Sequence, residues 1–156
     1  MKVTLIPCLL VGCIVLSTFF SQHAYSQNAE PATVLNYDYA KGNPADWPKE
    51  MDAVIAAPKN HKVLLENDNV RVLEVTLSPG EKEPIHCHKW HSVLYIESAG
   101  DFIDHDAAGN ILMDTRKLPT PLKFPLTMYK EPEAPHWVEN LSKTITLRLI
   151  RVEMKK

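Results

Sequence analysis

The sequence predicts an all-β domain, an antiparallel sandwich or barrel entered through one short helix. Three observations predict it. Short β-type runs alternate with turn residues at fairly even intervals beyond Asn60. No helix-period segment separates those runs, which excludes the alternation of strands and helices that builds parallel sheets. The only helical pattern lies ahead of them, between Asp46 and Pro58.

The elements follow in chain order. Lys2, the apolar run Val3 to Phe20 and the polar, small-residue stretch Ser21 to Ser26 have the three-part layout of a secretory signal. Ala24 and Ser26 are the small side chains that signal peptidase requires, so the expected cut follows Ser26. An uncleaved anchor is the alternative, because the apolar run is about long enough to span a bilayer. Leu10-Val11-Gly12-Cys13 also has the shape of a lipoprotein signal, in which Cys13 would be lipidated; the apolar residues continuing from Ile14 to Phe20 stand against it. Cleavage predicts a periplasmic or secreted mature chain. Residues 27–43 are polar and irregular and read as a flexible arm, leaving 44–156 as a single domain.

In the helical segment Asp46 can cap and Pro48 fits the first turn, with Trp47, Met51, Val54 and Ile55 as the apolar stripe. The strands expected after it are Val63 to Glu66, Val70 to Leu77, Ile85 to His88, Ser92 to Glu97, Phe102 to Asp106, Ile111 to Asp114, Leu126 to Tyr129, Trp137 to Asn140 and Thr144 to Glu153. Several, such as Val70-Arg71-Val72-Leu73-Glu74-Val75, carry apolar groups on both faces, so both faces need cover.

Charge and cysteine content narrow the function. The formal charge of −2 becomes −3 when Lys2 leaves with residues 1–26, which contain no acid, so nothing points to nucleic acid or an anionic membrane surface. Cys8 and Cys13 leave with the same segment, Cys87 remains alone, and the domain must be held by its core.

The chemistry concentrates in Gly80-Glu81-Lys82-Glu83-Pro84-Ile85-His86-Cys87-His88-Lys89-Trp90-His91. On a strand His86 and His88 share a face with Cα atoms about 7 Å apart, near enough to tilt onto one ion, while Cys87 points the other way. His136 supplies a third imidazole from a later strand that can return beside this pair. Three histidines on an inner barrel wall would form a facial ligand set with open positions. His91 is a fourth candidate, but alternation opposes it. If Ser92 faces inward, so do Leu94 and Ile96, and His91 sits at the rim; if His91 faces inward, so do Val93, Tyr95 and Glu97. The apolar set favours Ser92 inward.

The order of these residues resembles the cupin superfamily. Gly80, five residues, His86-x-His88 match its first motif, and His136, three residues, Asn140 match the end of its second. The resemblance spans roughly residues 60–153. It implies a cupin-type jelly-roll barrel, commonly dimeric, that holds a divalent transition metal (Zn, Fe, Ni, Mn or Cu) and takes a small-molecule ligand or substrate. Two departures stand out: Ser92 or Val93 occupies the place of the usual glutamate ligand, and Glu131-Pro132-Glu133-Ala134 replaces the second motif's early glycines. Without the carboxylate the site tilts toward Zn, Ni or Cu, although the cupin thiol dioxygenases work with three histidines. An enzyme of oxygenase, isomerase or lyase type and a non-catalytic binding module both fit, and no catalytic residue is singled out.

The remaining chemistry-bearing residues have plainer readings. Tyr95, Trp90 and Trp137 read first as packing, and Arg148 as a grip for a carboxylate should it point inward. Asp101, Asp104, Asp106 and His105 read as a solvated hairpin. Soft copper ligation by Cys87 and Met128 is opposed by their expected facing.

Overall fold

The computed structural model describes residues 42–156. The expected signal segment, Cys8, Cys13 and nearly all of the arm lie outside the described residues.

The helical segment is more broken than its periodicity suggests. It consists of two 3-10 turns, Pro44–Asp46 and Lys49–Met51, and a single α turn, α1 (Ala53–Ala56). Asn43 caps the first turn, and Asp52 caps α1 by accepting from Val54 N. Pro48 explains the interruption: the residue before a proline is driven out of the helical region, and Trp47 is extended at φ −71°, ψ 138°. Trp47, Ala53 and Ala57 are buried, whereas Ile55 is exposed, so the segment seals the barrel with fewer residues than expected.

Two antiparallel sheets face each other. The five-stranded sheet has the order β1-β2-β9-β4-β7, from β1 (His61–Glu66), β2 (Val70–Leu77), β4 (His91–Ser98), β7 (Leu126–Lys130) and β9 (Leu147–Met154). The four-stranded sheet has the order β3-β8-β5-β6, from β3 (His86–His88), β5 (Phe102–Asp106), β6 (Ile111–Asp114) and β8 (Glu133–Asn140). Ser78-Pro79-Gly80-Glu81 closes as a turn, Glu81 N donating to Ser78 O at 3.0 Å; Gly80 has φ +73°, which a side chain there would strain.

Cross-strand register divides the interior into two ends. The inward residues of β2 are Arg71, Leu73, Val75 and Leu77, and those of β9 are Leu147, Leu149, Arg151 and Glu153. Antiparallel pairing sets Arg71 opposite Glu153 and Leu77 opposite Leu147. On the other side of β9, Ser92 faces Glu153 and Ile96 faces Leu149. One end of the barrel is therefore polar. The other is closed by Leu73, Val75, Leu77, Leu94, Ile96, Phe102, Met113, Leu147 and Leu149, each such side chain stabilising the fold by about 1.5–3 kcal/mol when buried.

Ser92 is fully buried, the inward register that the apolar set favours, and Tyr95 lies exposed on the outer face. Asp104 and His105 depart from the solvated-hairpin expectation. β5 lies inside its sheet between β8 and β6, so both its edges are paired; Asp104 and His105, on opposite faces, are both buried, and His105 stacks on Trp137 with ring centroids 3.9 Å apart.

Candidate metal centre

Four histidines meet at the polar end. β3 contributes His86 and His88, β8 contributes His136 and the start of β1 contributes His61. Ring centroids are 4.9 Å apart for His86 and His88, 4.7 Å for His86 and His136, and 4.5 Å for His61 and His86. All four are buried. The structure thus brings together the three histidines singled out from motif spacing and adds His61, which that reading omitted.

His91 is not among them. Its side chain is 45% exposed at the edge of the outer face, where its Nδ1 lies 2.6 Å from Tyr129 Oη and 3.0 Å from Glu131. Having Ser92 inward turns its neighbour out, so the candidate ligand His91 is corrected to a surface residue. Arg148 is likewise an outward residue, engaged with Glu74 at 2.7 Å and with Glu97.

Each imidazole is oriented through Nδ1. His61 donates to Ala57 O at 3.2 Å and His86 to Pro84 O at 2.9 Å. His88 donates to Glu153 Oε1 at 2.7 Å and His136 to Asp104 Oδ1 at 2.9 Å. Such contacts fix ring orientation and tautomer, and they are what metal-ligating histidines ordinarily have. Burial drives the pKa of His61 down to about 3 and holds His86 and His88 well below the ordinary value. These three rings are therefore neutral at pH 7, with the Nε2 lone pair available to an ion. Burial opposes charge on His136 too, but Asp104 beside it, with Glu133 and Glu83, raises its pKa instead.

The donor atoms form two overlapping triads, one of His61, His86 and His88 and one of His88, Glu133 and His136, with all atoms of each triad within 4.8 Å of one another. The first triad is all imidazole and its donors are neutral, so it fits a borderline divalent ion. In the second, Glu133 is already engaged by Arg151 at 2.6 Å and Lys130 at 2.7 Å. Those cations outweigh the cost of burial and hold the Glu133 carboxyl well below the usual range.

Glu133 shares a face with His136 because of a bulge. His86 pairs with His136 and His88 with Glu133, so three steps along β8 match two along β3. The extra residue reverses the alternation that would otherwise send Glu133 outward. Glu83 completes the lining: burial lifts its carboxyl to about 8, Oε1 accepts from Val138 N at 3.1 Å, and Oε2 is buried without a hydrogen-bond partner. Cys87 points away from the cluster as expected and pairs with Asp52 in the segment before α1, with burial pushing its thiol up to about 11.

The cluster opens into a cavity of about 80 Å³ whose other walls are apolar, among them Leu94, Ile96, Phe102, Met113, Leu147 and Leu149. The interior is thus a donor-lined end joined to a hydrocarbon chamber.

Similarity to known proteins supports the architecture. No protein-family model matches the chain, and no curated protein matches it. Among solved structures, a cupin domain from Bordetella pertussis Tohama I is 21% identical, covering 62% of this chain and 92% of that one at a TM-score of 0.50. An RmlC-like cupin family protein with a double-stranded β-helix fold from Methanocaldococcus jannaschii is 16% identical, covering 60% and 77% at a TM-score of 0.45. The described domain has the cupin fold.

Proposed function

We propose that this cupin-fold chain is an exported protein that holds a divalent transition metal at the polar end of its barrel and admits a small molecule to the cavity beside it. The observation that carries the reading is the anchoring of all four histidines through Nδ1, with His61, His86 and His88 neutral and clustered. A fold supports many functions, and the function lies in this site.

His86, His88 and His61 would hold the ion, with His136 adjoining. Zn, Ni or Cu suits these donors best, Fe also accepts imidazoles, and Mn would depend on Glu133 leaving its cations. A bound divalent ion supplies Lewis-acid polarisation of an oxygen on the captured molecule. The protein's own part is to orient the rings through Glu153, Asp104 and two backbone carbonyls, and to keep water from most of the cavity with its aliphatic walls. Export rests on the layout of residues 1–26, and cell fractionation with N-terminal sequencing beginning at Gln27 would support it. Pairing of two copies fits the apolar residues Val93, Tyr95 and Tyr129 on the outer face of the large sheet.

A non-catalytic binding module is the second reading. It is favoured by the capture of Glu133, the carboxylate grouped with His88 and His136, by Arg151 and Lys130. The Co(II) spectrum separates the two: a spectrum that shifts as small metabolites are added supports an open, reactive centre.

Elemental analysis of the tag-free protein beside His86→Ala and His136→Ala tests the metal centre. About one equivalent of transition metal in the parent and little in His86→Ala is expected. A parent that stays metal-free after incubation with Fe(II), Mn, Zn, Ni and Cu would overturn the reading.

A further inference from the structure

We propose that the cavity takes a small monocarboxylate with an aliphatic body, its carboxylate received by Arg151; this deepens the reading of the barrel interior as a small-molecule site and rests on it.

Arg151 lies on the inward face of β9, with its side chain 4% exposed, and lines the cavity. Two edges of its guanidinium are occupied: Nε donates to Ser92 Oγ at 3.1 Å and Nη1 to Glu133 Oε2 at 2.6 Å. Nη2 is buried with no hydrogen-bond partner. A buried cationic donor left in that state is costly, and buried polar groups in native proteins nearly always find an acceptor. A ligand oxygen in the cavity is the acceptor this position lacks.

The guanidinium selects an anion, because charge-assisted bonds to a carboxylate are the stronger kind it makes. Arg151 also reaches the metal-binding end, where its Nη1 holds Glu133 of the second triad. The rest of the chamber selects the body of the ligand. Leu94, Ile96, Phe102, Met113, Leu147 and Leu149 offer no hydrogen bonds, so a tetrahedral phosphate would leave further oxygens against carbon, at a high desolvation cost. A planar acid with a short hydrocarbon tail meets both ends. Arg71, the other arginine with a buried unpartnered Nη2, is not part of this chamber; its guanidinium lies 4.9 Å from the Trp90 ring.

The test uses butyrate, with butyramide as its uncharged counterpart and inorganic phosphate as the competing anion. Calorimetry is run on the full protein as purified and after metal loading, with metal content measured on the same samples. Butyrate is expected to bind at least tenfold more tightly than butyramide or phosphate, and Arg151→Gln to weaken it by about tenfold or more, as for loss of a charged hydrogen bond. In the parent, which needs no variant to fold, the Arg151 Nε–H resonance should shift and saturate with butyrate. Equal binding of butyrate and butyramide, an unmoved Arg151 resonance or no binding of butyrate to either form would overturn the proposal. Metal content reports separately on the metal centre, so loss of one reading is not mistaken for loss of the other.

Discussion

Glu153 grips two partners with its two oxygens: Oε1 accepts from His88 Nδ1 at 2.7 Å, and Oε2 accepts from Arg71 Nε at 2.5 Å. It is wholly buried, and Arg71 continues the chain to Asp52 at 2.9 Å, ahead of α1. A single carboxylate thus connects the orientation of a candidate ligand to the segment that closes the barrel. Glu153→Gln keeps the shape but offers one acceptor where two are needed. It is expected to lower metal affinity about 10–100-fold, as removal of a ligand's orienting partner does. Breaking the buried pair should also cost about 3–5 kcal/mol of stability. Competition with a chromogenic chelator and denaturant unfolding in EDTA measure the two effects, and unchanged metal affinity would show that His88 needs no such support.

Asn140 plays a different part from the histidine that shares its motif. Its amide nitrogen donates to Leu77 O, Ser78 O and Ile145 O, and its Oδ1 accepts from Ser142 N, so it fastens the turn after β2 to the connection between β8 and β9 at the apolar end. Asn140→Ala should cost about 2–3 kcal/mol by leaving buried carbonyls unsatisfied. Metal content should be unchanged. Loss of metal without loss of stability would place Asn140 in the site after all.

Much of the fold was legible in the sequence because its strands alternate regularly. Leu94 and Ile96 fixed Ser92 inward, and the spacing of His86 and His88 fixed their common face. The same alternation extends along β9, where Leu147 and Leu149 carry the inward face on to Arg151 and Glu153. Other parts were hidden for physical reasons. Glu133 reaches the interior only through a bulge, which no alternation reveals. Asp104 was masked by an acidic stretch that resembles a surface hairpin, although its strand is central. His61 stands at the first position of an edge strand, with no spacing relation to the other ligands, so only the tertiary fold brings it beside His86.

Glu81 makes part of the stability pH-dependent. Burial raises its pKa, but Lys59, Ser78 N and Asn60 all donate to the carboxylate and bring it down to about 2, below the ordinary 4.5. A depressed carboxyl stabilises the fold above its unfolded pKa, and the contribution is lost as pH falls from about 4.5 through about 2. The parent should therefore lose on the order of 2 kcal/mol across that window that Glu81→Gln does not lose. Parallel slopes of stability against pH for the two proteins, by urea unfolding in the presence of EDTA, would show that this carboxylate is not a source of the dependence.

Cys87 should be inert. It is fully buried and its thiol is pushed up to about 11, so little thiolate exists at neutral pH and no reagent reaches it without opening the fold. Labelling by a disulfide reagent should follow unfolding rather than reagent concentration. Cys87→Ser should leave copper affinity unchanged, since the side chain points away from the histidines. A drop in copper affinity would require the strand to present both faces to one ion.

His61 and His91 give the sharpest comparison. Both are single histidines near the ends of strands in the large sheet, yet one enters the cluster and the other meets Tyr129 and Glu131 outside it. His61 belongs to the neutral triad with His86 and His88, so His61→Ala removes one of three nitrogen donors from that set. Metal affinity should fall by at least about tenfold, since one lost interaction of 1.4 kcal/mol already has that effect. His91→Ala removes a half-exposed contact and should leave metal affinity within error and stability changed by less than about 0.5 kcal/mol. Chelator competition on both variants decides the matter: retention of full affinity by His61→Ala would move the ion to the His88, Glu133 and His136 triad, where Glu133 must leave Arg151 and Lys130 to bind it.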